Sequence, residues 1–236
     1  MAKSCLLIGN SRWHWAELRD GQWAYQHREP NPTKLKSVNF STLTWAAVGV
    51  IPNNINLPIR NKLAITDVPL KELPSWIGID RALASWGALI RAKSLKTTFT
   101  GLLVADAGTV LSITRITQDG SFLGGQLAAG FRLQLKAMST GTVQLNDPGN
   151  GIITDNPFPS KTEEAMRRGS LQSLVGTIIE AQKIANLPLW LCGGDSELLF
   201  KALRHQGIEV HHYPNLALEG MIDIQKNYSM PKSERI

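Results

Sequence analysis

Apolar and polar positions alternate through the first thirty residues in the way a sheet requires. Leu6-Leu7-Ile8 runs into Gly9-Asn10-Ser11, Trp13 to Leu18 alternates, and Asp20-Gly21 is a hairpin turn before Gln22 to His27. The same order returns 99 residues later: Leu102 to Thr109 with Gly108 near its end, then Val110 to Ile116, then Asp119-Gly120. Gly9 to Asp20 spans eleven residues, and so does Gly108 to Asp119. Each copy predicts strand, glycine turn, strand, Asp-Gly turn, strand. Two copies predict two similar lobes whose glycine turns face a shared cleft. Glycine lets backbone N–H groups approach an anion closely, so nucleotide phosphates suit such turns.

Between the copies, Thr44 to Ile51 reads as a buried strand closed by Pro52-Asn53-Asn54, and residues 55–77 as short strand and loop. Gly78-Ile79-Asp80-Arg81 opens a helix with Ile79, Leu83, Trp86 and Ile90 on one face. Gly124-Gly125 is expected to break a strand, Gly130 to turn the chain into a helix reaching Met138, and residues 139–160 to form a long loop. Ser160 and Glu163 have capping-box spacing for a helix to about Ala185. Leu189 to Cys192 predicts a strand, Gly193-Gly194 a turn, Ser196 to His205 a helix, Ile208 to His212 a strand, and Asn215 to Met221 a short helix. Strands first and helices after, twice over, resemble a pair of ribonuclease H-like lobes. The expected class is α/β, with lobes over residues 1–97 and 98–225 and a disordered tail over 226–236.

A chain of 236 residues with 43% hydrophobic and 19% charged positions has the composition of a soluble globular protein. The apolar runs are shorter than the roughly 18 residues of a membrane span, and the start is too short for a signal peptide. A cytoplasmic protein without a membrane partner is the expectation. Cys5 and Cys192 lie in apolar runs without metal-ligand spacing, which predicts buried free thiols. The net charge of +6 suits anionic ligands, while Lys and Arg are scattered except at Arg167-Arg168, which argues against nucleic acid.

Asp106 ends a buried strand before a glycine turn, where a carboxylate is costly unless it meets a cation or a ring of donors. Its counterpart in the first copy is Leu7, although Asn10, Ser11 and Arg12 still offer donors and a cation beside Gly9. Asp80 and Arg81 share a first helical turn, where the helix dipole alone favours the aspartate but not the arginine. Thr162 lies in a capping segment and could also present a hydroxyl. Gly169, Ser173 and Gly176 fall on one helix face and permit close helix approach, within the chain or across a dimer. The P-loop and protein-kinase signatures are missing, and the five histidines have no metal-ligand spacing.

Gly9-Asn10-Ser11, Gly78-x-Asp80-Arg81, Asp106-x-Gly108-Thr109, Gly124-Gly125, Lys161-Thr162 with Ala165-Met166 and Gly169, and Gly193-Gly194 together resemble the type III pantothenate kinases. Their order and spacing match over roughly residues 5–222. The resemblance implies the duplicated fold of the acetate-kinase, sugar-kinase and actin superfamily, and phosphorylation of pantothenate by ATP on the way to coenzyme A. It implies that Asp80 is the base for the pantothenate hydroxyl, and that Gly78, Ile79, Asp80, Arg81 and Thr162 bind pantothenate; the neighbouring Arg81 is expected to keep Asp80 ionised. Ile8, Gly9, Asn10, Ser11, Arg12 and Thr109 would contact ATP, and Asp106 a monovalent cation, potassium or ammonium. Magnesium would accompany ATP, and the enzyme would be a homodimer.

The chain departs from the family where the aspartate before the first glycine turn, an aid in holding magnesium, is Leu7. Ala129 replaces a proline before Gly130, and Trp76 stands near an expected tyrosine. Leu7 keeps open a catalytically weak nucleotide-binding relative with a regulatory role. A two-metal nuclease needs clustered carboxylates, and Leu7 opposes that reading too.

Overall fold

The computed structural model describes residues 3–228 except 36, 37, 54 and 97. The chain forms two compact units. One comprises the chain up to Leu102, Ile116–Leu123 and the chain from Asn215 on; the other comprises Leu103–Arg115 and Gly124–Pro214.

In the first unit, β1 (Ser4–Ile8), β2 (Trp13–Arg19), β3 (Gln22–Arg28) and β4 (Leu43–Ala47) form a sheet in the order β3-β2-β1-β4. The Asp20-Gly21 turn, both residues at positive φ, joins the antiparallel β2 and β3. β1 runs antiparallel to β2 and parallel to β4. Central β1 is apolar on both sides: Cys5 and Leu7 pack in one cluster, Leu6 and Ile8 in another with Trp13, Trp15 and Trp45. A short helix, α1 (Pro32–Leu35), lies between β3 and β4. β4 is shorter than the expected Thr44–Ile51, because Val48 and Gly49 both turn their N–H groups to the Ile8 carbonyl, at 2.9 and 3.1 Å. Residues 55–77 hold two 3₁₀ turns, Ile59–Asn61 and Ile65–Asp67, rather than strand, apart from single bridges at Lys62 and Lys71.

Helices α2 (Ile79–Ser94) and α6 (Leu216–Tyr228) pack against this sheet and each other. The expected single apolar face of α2 is a correction: Ile79, Arg81, Ala82, Leu83, Ala84, Ser85, Gly87, Ala88 and Leu89 are all buried. A β-carbon on Gly87 would overlap the Leu216 carbonyl, and one on Gly220 the Leu83 carbonyl. Each helical glycine costs about 1 kcal/mol of propensity, which close backbone packing offsets. The crossing is fixed at its sides by Arg91 on Glu219, at 2.6 and 2.9 Å, and by Trp86 Nε1 on Asp223, at 2.9 Å. α6 outruns the expected helix, so residues 226–228 are helical; 229–236 lie outside the described residues.

The second sheet has the order β7-β6-β5-β8-β9, from β5 (Gly101–Ala107), β6 (Val110–Thr117), β7 (Phe122–Ala129), β8 (Leu189–Cys192) and β9 (His211–His212). β5, β6 and β7 repeat β1, β2 and β3. Gly124-Gly125 does not break β7; Gly124 takes φ +96° and the strand continues to Ala129. α3 (Phe131–Gly141), α4 (Thr162–Ala185) and α5 (Ser196–His205) supply the helices, and the last strand shrinks to β9. The Ser160–Glu163 capping box does not form: Lys161 is the N-cap and gives no side-chain cap. Leu171, Leu174, Val175 and Ile178 of α4 join Leu103, Ala105, Leu111 and Ile113 in this unit's core. Cys5 and Cys192 are buried and form no disulfide.

Candidate active site

In the first unit the glycine turn, the end of β4 and the head of α2 converge. Gly9 N–H donates to Arg12 O at 2.9 Å, closing a tight loop with Asn10 and Ser11 exposed. A β-carbon on Gly49 would overlap the Gly9 carbonyl, so the turn rests directly on backbone. One residue earlier, Val48 approaches the head of α2, where a β-carbon on Gly78 would lie 3.8 Å from Val48 Cγ1. Ile8, Gly9 to Arg12 and Gly78 to Arg81 are thus gathered at one end of one sheet.

Gly78 is the N-cap of α2 and makes room for the next acid, since its β-carbon would sit 2.6 Å from Asp80 Oδ1. That oxygen accepts the Arg81 N–H at 2.8 Å. Burial raises the Asp80 carboxyl above the ordinary aspartate range, with backbone N–H donors and the Arg81 guanidinium opposing in part. Arg81, expected to keep Asp80 ionised, does favour the carboxylate, but burial outweighs it. Arg81 is itself buried, its guanidinium 5.6 Å from the centre of the Phe122 ring. A carboxylate with raised proton affinity at a helix N-terminus can take a proton from an alcohol as that oxygen attacks.

The second unit gathers Asp106, Gly108 and Thr109 in the same manner. Gly108 N–H meets Val110 O at 3.3 Å, and Gly130 N–H donates to Thr109 O at 2.9 Å, with no space for a β-carbon on Gly130 beside the Gly108 carbonyl. Gly193 follows β8 as Gly49 follows β4, and at φ +95° it presses on Asp106 Oδ1 and the Ala107 carbonyl. A carboxylate and a carbonyl crowded at one glycine are hard oxygen donors of the kind a small cation takes. Thr162 begins α4 and is exposed.

Leu7 is 4% exposed and packs with Ala16, Ala46 and Ile79, so position 7 offers a magnesium ion no ligand. Sequence reading passed over His14 and His27, which β2–β3 pairing sets opposite one another with Nδ1 atoms 2.7 Å apart. The signal was present: a two-residue turn at Asp20-Gly21 pairs Arg19 with Gln22, and by the same register His14 with His27. Among the described residues, no group of three or more His, Cys, Asp or Glu could hold a metal ion by itself.

A family model described as type III pantothenate kinase matches residues 59–183. The type III pantothenate kinase of Synechococcus sp. (strain JA-3-3Ab) is 31% identical over 224 residues, covering 91% of this chain and 88% of that protein. Among solved structures, a Campylobacter jejuni protein described as a conserved Baf family transcriptional activator superposes with a TM-score of 0.62 at 21% identity, over 96% of this chain and 98% of that one. The Clostridium difficile activator of 2-hydroxyisocaproyl-CoA dehydratase, solved with bound ADPNP, gives 0.57 at 11% identity, over 98% of each chain. These structures share the fold of this chain, and the sequence matches are what name the group. With its duplicated glycine turns and its half-buried aspartate at the head of α2, the chain belongs to the type III pantothenate kinase family.

Proposed function

We propose that this protein transfers the γ-phosphoryl group of ATP to the hydroxyl of pantothenate, the first step towards coenzyme A. The observation that carries the reading is Asp80, half-buried with its carboxyl raised, at the end of the sheet that also holds the Gly9–Arg12 turn. The pantothenate oxygen bonds to the γ-phosphorus, the bond from that phosphorus to the bridging oxygen breaks, and ADP departs. Asp80 accepts the hydroxyl proton. Transfer of this kind needs alignment and neutralised charge more than covalent chemistry from the protein.

Gly78, Ile79, Arg81 and Thr162 are assigned to pantothenate, and Ile8, Gly9, Asn10, Ser11, Arg12 and Thr109 to the phosphates of ATP. Asp106, whose Oδ1 lies with the Ala107 carbonyl beside Gly193, is assigned to a monovalent cation, potassium or ammonium. Magnesium fits as a companion of ATP, since it is commonly held by substrate phosphates and water with few protein ligands. Its contribution when bound is to neutralise charge on the phosphates. A cytoplasmic homodimer completes the assignment; no helix among the described residues is long and apolar enough to cross a membrane.

The burial of Leu7 favours one alternative, a weak enzyme that binds nucleotide and regulates. Purified protein with ATP, pantothenate, magnesium and potassium separates the two when ADP is followed. Turnover well above an Asp80→Asn control supports the kinase; turnover no greater than that control removes it.

A further inference from the structure

His14 and His27 have no part in the roles above, yet they lie beside the Gly9 turn. His27 Nε2 is 2.9 Å from Asn215 Oδ1. An amide oxygen only accepts, so His27 carries its proton on Nε2 and presents a bare Nδ1. His14, with Nδ1 2.7 Å away, then donates to it. Nε2 of His14 is left as the basic nitrogen, and it points to the turn: a β-carbon at position 9 would lie 3.2 Å from it.

The charged and titratable groups bearing on this pair are Arg12 of the turn and the two rings themselves. Across from His14, β1 contributes apolar Leu7, and the residue before α6 contributes the neutral amide of Asn215. Burial, His27 and Arg12 hold His14 down at about 4, and burial also lowers His27. Both rings are therefore neutral at pH 7 in the unliganded protein.

We propose that His14, braced by His27 and Asn215, is a proton-accepting phosphate ligand of the Gly9 turn. When phosphoryl oxygens settle on the turn, Nε2 takes one proton from solvent and donates it to phosphate as a charge-assisted hydrogen bond. The proton returns to solvent when the nucleotide leaves, and no other bond is made or broken. The bracing serves this role because His14 Nδ1–H already points at an acceptor, so the ring keeps its orientation on becoming a cation. An opposite charge within ~4–6 Å raises such a group by about 1–3, which lifts His14 from about 4 to between about 5 and 7. The proposal rests on the reading of Gly9–Arg12 as a phosphate turn, and the two fail separately.

Calorimetric titration of the full chain with magnesium AMP-PNP at pH 6, in two buffers of different ionisation enthalpy, counts the protons taken up. Wild-type protein is expected to take up between roughly a tenth and nine-tenths of a proton beyond His14→Gln. Side-chain ¹⁵N NMR of the wild-type protein gives the same answer without a variant: Nε2 of His14 should change from bare to protonated on adding AMP-PNP. Equal proton uptake in wild type and His14→Gln, or a His14 Nε2 that stays bare in the complex, overturns the proposal. If Arg12→Ala weakens AMP-PNP binding while proton uptake is missing, the phosphate turn survives and His14 does not. If Arg12→Ala leaves affinity unchanged, the turn reading goes and the proposal with it.

Discussion

Gly193 lies directly against the Asp106 carboxylate, so close that a β-carbon at position 193 would overlap Oδ1. Its φ of +95° is also one that other residues adopt only with strain. Gly193→Ala is expected to destabilise the protein by about 1–3 kcal/mol and to displace Asp106. Thermal unfolding checks the first effect. Loss of potassium activation, with residual turnover, checks the second.

Gly49 stands in the corresponding place of the first unit and supports the Gly9 carbonyl. Gly49→Ala should shift the Gly9–Arg12 turn and weaken ATP more than pantothenate. Steady-state kinetics with each substrate varied in turn would show this as a KM for ATP raised roughly tenfold, equivalent to about 1.4 kcal/mol. An unchanged KM for ATP would mean that the turn does not meet the nucleotide.

In the proposed role, Asp80 serves catalysis and stability with opposite signs. Its folded carboxyl is raised by burial, so the stabilising protonated form is complete below the unfolded value of 3.8 and is lost as pH rises through the folded value. At neutral pH the desolvated carboxylate is a burden. Asp80→Asn is therefore expected to raise the melting temperature at pH 7.5 while lowering kcat by about 10²–10⁴-fold. In the wild type kcat should fall as pH drops through the raised value, because the base is then filled.

The histidine pair predicts acid sensitivity. His14 is held at about 4 in the folded protein against 6.5 in the unfolded chain. That depression contributes stability above pH 6.5, which is lost as pH falls towards 4. Urea denaturation between pH 7 and 4 should show this loss, and His14→Gln should flatten the curve over the same window.

Leu7→Asp tests whether position 7 can regain a carboxylate. Leu7 packs between strand and helix residues, so the substitution removes apolar contacts and buries a charge. A loss of about 2–5 kcal/mol is expected in chemical denaturation. Recovery of turnover despite that loss would show that the nucleotide's metal reaches this strand.

Alternation, glycine turns and Asp-Gly turns placed β1 to β3, β5 and β6, and helical spacing placed the head of α2, because those signals act between near neighbours in the chain; β7 was expected to break at Gly124-Gly125 and does not. Position 7 could be read as a missing carboxylate by comparison with Asp106 in the second copy, 99 residues on. Tertiary structure alone decided the rest. Which glycines are obligatory depends on what faces them: Gly87 and Gly220 on crossing helices, Gly49 under the Gly9 turn, Gly193 against Asp106. The raised carboxyl of Asp80 and the neutral state of His14 arise from burial by distant segments, and the tautomer of His27 from Asn215, 188 residues away. Hydrophobic period and turn chemistry are local and can be read along the chain. Desolvation and backbone-to-backbone approach exist only once remote segments have packed, so no window of sequence contains them.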